Sequence, residues 1–202
     1  MAANPRADPP VVAPVGRLAD PPVVPRAVLI SGAPGTGKST LGAALAPRLG
    51  AALLDLDVVT GPLTAVVAGL VGATDLSDPR IAGLTRAPRY ETLFAIAENN
   101  LRVGIPVVLV APFTTERTAD GWNAVVRRLS GPLLVWLHVP DTDLVGRLRR
   151  RDAVRDSAKT ADPAAFLAAI DRNPPAVPHL ALDATRPVTE LVEAVVAHLT
   201  SN

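Results

Sequence analysis

One stretch constrains the architecture more than any other: Gly32-Ala33-Pro34-Gly35-Thr36-Gly37-Lys38-Ser39-Thr40. The β-rich run 27–31 enters this stretch, and a segment with helical periodicity, 38–49, leaves it. The stretch fits the pattern G-x-x-x-x-G-K-[ST] at every fixed position. A strand that passes through such a turn into a helix is typical of a loop that wraps phosphate groups.

The chemistry of the loop explains its residue types. Its three glycines permit backbone conformations and a close approach that a β-carbon would block. Successive N–H groups then form a concave anion site, to which the positive end of the following helix adds. We expect all nine residues to contact ATP, with Lys38 on the β- and γ-phosphates, Ser39 on Mg²⁺ and Thr40 on the α-phosphate. The alternative is a chance glycine-rich turn between a strand and a helix.

Apolar runs alternate with helical segments along 26–202, which predicts an α/β fold of three layers with a central parallel sheet. The predicted strands are 27–31, 51–57, 106–110, 133–139 and 180–182. The predicted helices are 38–49, 64–71, 90–102, 120–129, 141–152, 162–170 and 189–199, with 72–88 irregular. We expect one domain over 26–202, preceded by a disordered proline-rich tail, 1–25, in which Ala-Asp-Pro-Pro-Val-Val occurs twice.

Composition excludes several partners. The net charge is +1, so no global field favours nucleic acid or an anionic membrane surface. The chain has no cysteine, no apolar run long enough to span a bilayer, and no signal-peptide pattern. We therefore expect a cytoplasmic protein with neither nucleic acid nor membrane as a partner.

A second motif follows the loop in the run Leu53-Leu54-Asp55-Leu56-Asp57. If 51–57 is a strand, alternation places Asp55 and Asp57 on the same side, beside the phosphate loop. Two carboxylates there are costly unless a cation or a substrate hydroxyl uses them. We assign Asp55 to Mg²⁺ and Asp57 to the hydroxyl that attacks the γ-phosphate. The alternative is a solvated strand end.

Two other classes of nucleotide-binding protein are disfavoured. The sequence lacks the Asn-Lys-x-Asp segment with which GTPases read the base. A large ring-forming ATPase needs a longer chain and an acidic pair at the end of a strand. Here the strand 106–110 runs into Ala-Pro-Phe, without a carboxylate.

The glycine loop, the Asp-x-Asp segment, the basic helix 141–152 and the final Asp-x-Thr segment resemble the shikimate kinase and gluconate kinase group of small P-loop kinases. The resemblance extends over most of 27–199. It implies the P-loop NTPase fold of the nucleoside-monophosphate-kinase type. It also implies an aspartate pair that serves metal and substrate, an arginine-bearing lid over the phosphates, and a loop after the last strand that packs on adenine.

The resemblance places the lid near 147–160. Arg151 and Arg155 are then expected to contact the transferred phosphate, where guanidinium groups offset the developing charge. Arg147 or Arg149 would stack on the base. The alternative is a solvated basic helix face.

The resemblance also indicates residues for adenine and for the acceptor. Thr185 and Pro187 would flank adenine, unless they only begin the last helix. Arg86, Arg89 and Arg117 would bind the acceptor, because an arginine fork suits a carboxylate or a phosphate; surface ion pairing is the alternative.

These features together predict an ATP- and Mg²⁺-dependent kinase that acts on a small molecule, with an anionic acceptor as one reading of the arginines. The sequence lacks the paired-glycine segment of shikimate kinase and the histidine-containing lid ending of gluconate kinase. Three alternatives therefore remain. They are a nucleoside or nucleotide kinase, a P-loop ATPase or regulator without an acceptor, and a nucleotide-binding module without catalysis.

Overall fold

The structure is a computed structural model that describes residues 26–73, 78–151 and 162–201. Five strands form an all-parallel sheet in the order β2-β3-β1-β4-β5. In chain order these strands are β1 (Ala27–Gly32), β2 (Ala52–Asp55), β3 (Val107–Val110), β4 (Leu133–His138) and β5 (Leu180–Asp183). The predicted parallel sheet is confirmed.

Helices lie on both faces of the sheet, which produces the predicted three layers. Those in the described ranges are α1 (Lys38–Arg48), α2 (Leu56–Leu70), α3 (Pro79–Arg102), α4 (Ala119–Leu129), α5 (Asp141–Arg151), α6 (Pro163–Ala169) and α7 (Val188–Ser201). None of the helices within these ranges has both the length and the apolar character that a bilayer crossing requires.

The core has two halves because successive residues of the central strands point to opposite faces. Leu29 of β1 packs with α3 and α4, whereas its neighbour Ile30 packs with α1 and α7. All six residues of β1 and all four of β3 are buried, as expected for strands covered on both faces. Because the strands are parallel, their carboxyl ends all lie at the same end of the sheet, where the phosphate loop follows β1.

Two predicted boundaries are wrong. The strand predicted over 51–57 ends at Asp55, because the Asp55 carboxylate accepts a hydrogen bond from the Asp57 N–H and starts α2. Asp57 therefore lies in the first turn of a helix, and the alternation argument for it fails. Most of the segment predicted as irregular, 72–88, belongs to α3, which begins at Pro79 and continues through Pro88.

The predicted proline-rich tail, 1–25, lies outside the described residues, as do positions 152–160 of the predicted lid.

Candidate active site

The loop between β1 and α1 depends on glycine for a geometric reason. Gly32, Gly35 and Gly37 have φ angles of 145°, 89° and 94°, a region that side chains with a β-carbon rarely adopt. A β-carbon on Gly32 would lie 2.5 Å from the Leu137 carbonyl oxygen of the neighbouring strand. The loop can thus pass close to β4 only with glycine at its entrance.

Hydrogen bonds inside the loop hold its curvature. The Lys38 ammonium group and the Thr36 hydroxyl both donate to the Ala33 carbonyl oxygen, at 2.9 Å each. Gly37 occupies the N-cap of α1 in a left-handed conformation, with no side chain capping the helix. The amino end of α1 therefore points its backbone N–H groups toward the position that an anion would take.

The predicted metal residues are in contact. The Ser39 hydroxyl donates to Asp55 Oδ2 at 2.6 Å, while Asp55 Oδ1 caps α2. A hydroxyl and a carboxylate are the hard oxygen ligands that Mg²⁺ prefers. This pair fits a magnesium ion, with Asp55 fixed at the junction of β2 and α2.

Asp57 and Arg89 form an ion pair across the site. Arg89 Nη2 lies 2.6 Å from Asp57 Oδ1, and Arg89 Nε donates to the Thr60 hydroxyl at 2.8 Å. Thr60 is buried one turn beyond Asp57 on α2. The first turn of α2 and the middle of α3 are therefore fastened together beside the phosphate loop.

Arg86 is held by three neighbours from two elements. Its Nη2 donates to the Thr114 hydroxyl at 3.0 Å and lies 3.6 Å from Glu116 Oε2. Its guanidinium carbon lies 4.6 Å from the centre of the Tyr90 ring. Burial, with the Glu116 charge, raises the pKa of Tyr90 to about 12, and its oxygen accepts the Phe113 N–H.

These residues surround one cavity of about 470 Å³. Residues of the phosphate loop and α1 form one wall, and residues of α2, α3 and the loop after β3 form the other. The predicted site residues among its lining are Pro34, Gly35, Gly37, Lys38, Ser39, Thr40, Asp55, Asp57, Arg86 and Arg89. The cavity thus joins the expected phosphate and acceptor positions.

Arg117 has a different place. Its guanidinium group is buried, donates to the carbonyl oxygens of Asp171 and Asn173, and pairs with the Asp171 carboxylate. It is not among the described residues that line the cavity. The arginine fastens the loop after α6 to the start of α4, so we do not assign it to the acceptor.

The start of the predicted lid packs against the phosphate loop. Leu144 and Leu148 of α5 come so close to Gly35 that a β-carbon there would lie 3.1 Å from both. Arg147 donates to the carbonyl oxygens of Thr36, at 3.4 Å, and Ala184, at 2.6 Å. Arg147 therefore links the phosphate loop to the loop after β5.

The structure describes the other predicted residues of the lid only in part, and it describes both residues predicted for the adenine site. Arg149 lies on α5, Arg151 is described in its backbone only, and Arg155 lies outside the described residues. In the loop after β5, both the N–H and the hydroxyl of Thr185 donate to Asp183. Pro187 follows at the start of α7. The bonds of Arg147 to Thr36 and Ala184 bring this loop next to the phosphate loop, and the adenine contact of Thr185 and Pro187 stays a prediction.

The residues in and around the cavity that sequence reasoning missed include Thr60, Tyr90, Thr114 and Glu116. They come from three separate elements and meet only because α3 packs beside α2 and the loop after β3. No short-range spacing marks them. Their residue types alone carry no signal.

Comparison with known proteins supports the fold. Residues 28–175 match the family described as AAA domain. A gluconokinase from Sinorhizobium meliloti 1021 is 21% identical, with 88% of this chain and 93% of that chain covered and a TM-score of 0.59. The Mycobacterium tuberculosis APS kinase, solved with AMPPNP and APS, is 21% identical, with coverages of 90% and 100% and a TM-score of 0.58.

A shikimate kinase from Acinetobacter baumannii, solved with shikimate, is 20% identical, with coverages of 89% and 95% and a TM-score of 0.50. The chain thus has the fold of small P-loop kinases, and the resemblance drawn from its sequence is confirmed. Curated proteins give no match to the sequence.

Proposed function

We propose that this chain, which belongs to the AAA domain family, is a phosphotransferase that moves the γ-phosphoryl group of ATP to a hydroxyl of a small molecule. One observation carries the proposal: a single cavity is lined by the phosphate loop on one side and by Asp57, Arg86 and Arg89 on the other. An enzyme that only hydrolyses ATP needs no such second wall. The APS kinase structure, which holds AMPPNP, supports a nucleotide as the ligand of the loop.

The loop would bind the triphosphate through its backbone N–H groups and Lys38. Lys38 now donates to Ala33 inside the loop, within reach of the cavity that it lines. Ser39 and Asp55 would hold Mg²⁺, which supplies positive charge to the phosphate oxygens during transfer. Both residues already contact each other, so little rearrangement is needed to present their oxygens to a cation.

Asp57 would orient the acceptor hydroxyl and receive its proton. The carboxylate lines the cavity, and Arg89 fixes one of its oxygens at 2.6 Å. The other oxygen can accept a hydrogen bond from the attacking hydroxyl. Because Asp57 stands on the first turn of α2, two residues after the proposed metal ligand, the metal and the acceptor would be aligned by one short segment.

The lid would close the other side of the phosphates. We propose that Arg151 and Arg155 contact the transferred group and that Arg147 or Arg149 lies against the base, with Thr185 and Pro187 on its other side. The bonds of Arg147 to Thr36 and Ala184 support this arrangement, since they bring the base side and the phosphate side together. Exclusion of water by such a lid favours transfer over hydrolysis.

The structure around the end of β3 disfavours a ring-forming ATPase. Strand β3 ends at Val110 and is followed by Ala111, Pro112 and Phe113, so no acidic pair stands at its carboxyl end. The carboxylate to which the Ser39 hydroxyl donates, that of Asp55, comes from β2.

The test is a screen for acceptors that raise ADP production from ATP and Mg²⁺ above the acceptor-free rate. Sugars, polyols, sugar acids, hydroxylated ring acids, nucleosides and nucleotides cover the open classes. Lys38→Ala should abolish the acceptor-dependent signal, whereas Arg48→Ala, an exposed change at the far end of α1, should not. If turnover is unaffected by every acceptor but still needs Lys38, the ATPase alternative replaces the kinase.

Nucleotide binding is checked separately by calorimetry. Ser39→Ala should weaken binding of Mg²⁺-ATP while leaving binding of metal-free ATP nearly unchanged, because the serine hydroxyl serves the cation. Equal weakening of both would remove Ser39 from the metal site.

A further inference from the structure

We propose that the acceptor is an uncharged polyhydroxylated molecule, because each cationic side chain that the described residues contribute to the acceptor wall of the cavity is already matched by a carboxylate. The inference rests on the proposed phosphotransfer and specifies its substrate class. It differs from the first expectation drawn from the two arginines, which was a carboxylate or a phosphate.

Arg86 is the first cation of that wall. Glu116 Oε2 lies 3.6 Å from its Nη2, is shielded from solvent and has no hydrogen-bond partner. The ion pair with Arg86 is therefore what offsets the charge of this buried oxygen. An anionic acceptor that drew Arg86 toward itself would leave Glu116 uncompensated, and a buried unpaired charge is strongly unfavourable.

Arg89 is the second cation, and it is matched more tightly. Its Nη2 contacts Asp57 at 2.6 Å and its Nε contacts Thr60 at 2.8 Å, while only about a quarter of the side chain, 24%, is exposed. A phosphate group bound here would have to compete with Asp57 for the same guanidinium group. It would also lie next to the Asp57 carboxylate, and like charges at that distance repel.

The charges around the whole cavity lead to the same result. In the described part of the chain, the three cations that line it, Lys38, Arg86 and Arg89, face Asp55 and Asp57 within the lining and Glu116 behind Arg86. Bound ATP adds negative charge that Mg²⁺ and Lys38 only partly offset. Among the described residues that line the cavity, no cation is left for a charged acceptor, and sites that recognise anions normally present cations that are not already paired.

The remaining groups suit hydroxyls. Thr114 and Tyr90 line the cavity with O–H groups, and the Tyr90 proton stays on its oxygen because burial raises its pKa to about 12. Asp57 offers a carboxylate oxygen as an acceptor. The lining also includes the apolar residues Leu56 and Val110. A sugar or polyol, which carries both hydroxyl groups and C–H faces, matches a wall that offers both kinds of contact.

The experiment uses matched sets of acceptors that share one carbon chain: the polyol or sugar, the corresponding acid and the corresponding phosphate monoester. In each set that supports ADP production, the full-length protein should use the uncharged member with a kcat/KM about tenfold or more above the charged ones. A preference for the acid or the phosphate overturns the inference.

Two variants locate the preference. Glu116→Gln removes the charge behind Arg86 and should shift the acid-to-neutral ratio of kcat/KM toward the acid by about tenfold. Glu193→Gln is the matched control, since this exposed carboxylate pairs with Arg48 away from the cavity; it should leave the ratio unchanged. An unchanged ratio in folded Glu116→Gln contradicts the charge argument, and the wild-type panel alone decides if this variant does not fold.

Binding separates this inference from the proposed function. The same sets are titrated by calorimetry into the protein saturated with Mg²⁺ and AMPPNP. If no compound is phosphorylated, phosphotransfer is refuted, but tighter binding of the uncharged members still supports the charge-matched cavity. Binding of charged members only refutes the inference whether or not phosphotransfer occurs.

Discussion

Replacing Gly32 with alanine tests the geometry on which the phosphate loop depends. The new β-carbon would lie 2.5 Å from the Leu137 carbonyl oxygen and 2.8 Å from the Thr36 hydroxyl. Both atoms belong to packed structure: one to β4, the other to the loop itself. Neither can move away without disturbing the sheet pairing or the hydrogen bond to Ala33.

The cost has two parts. A residue with a β-carbon at φ 145° is strained by about 1–3 kcal/mol. Crowding of a packed region adds about 1–3 kcal/mol. We therefore expect Gly32→Ala to lower the free energy of unfolding by about 2–6 kcal/mol, a large share of the roughly 5–15 kcal/mol typical of a domain.

Gly50→Ala is the matched control. Gly50 also has a positive φ, 59°, but a β-carbon there meets no heavy atom within 4 Å. Only the conformational cost remains, about 1 kcal/mol. Urea denaturation measures both variants, and calorimetry measures their affinity for Mg²⁺-ATP. Folded Gly32→Ala should bind at least about tenfold more weakly than the wild type; Gly50→Ala should bind normally. Equal losses of stability in the two variants, or normal binding by Gly32→Ala, would refute the close approach of the loop to β4.

Three further outcomes can be measured. Asp57→Asn should lower kcat by about 100-fold or more while leaving ATP affinity nearly unchanged. Thr60→Val keeps the Asp57 carboxylate and should lower kcat by less than about tenfold. Similar decreases in kcat would contradict the role assigned to Asp57. Gly42→Ala should lower the free energy of unfolding by about 1–3 kcal/mol, because its β-carbon would lie 2.6 Å from a Val110 methyl group. Gly61→Ala, in open space on α2, should raise the free energy of unfolding by about 0.5–1 kcal/mol. The opposite order of the two variants in thermal unfolding would contradict the packing. Hydrogen bonds from the N–H and hydroxyl of Thr185 lower the pKa of Asp183, so the charged carboxylate stabilises the fold above its unfolded pKa of about 4. The amount by which Asp183→Asn lowers the Tm should therefore be largest at neutral pH and shrink as the pH falls through the lowered pKa. A decrease in Tm that does not depend on pH would contradict this.

The sequence predicts well those parts of the structure that depend on a single local requirement, such as backbone conformation or burial. The glycines of the phosphate loop follow from backbone conformation, and the buried strands follow from uninterrupted apolar runs such as Val107–Val110. The helix predicted over 162–170 is also found, because Asp162 caps α6 and Pro163 occupies its first turn.

The errors come from local signals that compete. The run around Asp55 and Asp57 has the apolar alternation of a strand, yet Asp55 also has the residue type of a helix cap, and capping prevails. The segment predicted as irregular, 72–88, contains Asp78 and Pro79, the cap and first-turn residues that mark a helix start. Helix α3 begins there and accommodates Pro88.

Contacts between distant elements could not be predicted. Arg86 and Arg117 both looked like acceptor ligands, since both precede or follow elements near the site. Arg86 lines the cavity, whereas Arg117 turns to the loop after α6, and only the packing of that loop separates the two cases. The buried Glu116 oxygen beside Arg86 is likewise a product of tertiary structure.

The division of the cavity into two walls has a consequence for how new specificities arise. The wall proposed to hold the nucleotide is formed by the phosphate loop and the start of α1, while most of the wall proposed to hold the acceptor is formed by α3 and the segment after β3, which lie farther along the chain. Under the proposed function, substitutions between Ala82 and Arg86, or between Pro112 and Glu116, should change the preferred acceptor without changing the phosphate donor. Asp55 is the exception: one carboxylate serves both Ser39 and the backbone that carries Asp57, so directed evolution of this scaffold should leave it fixed.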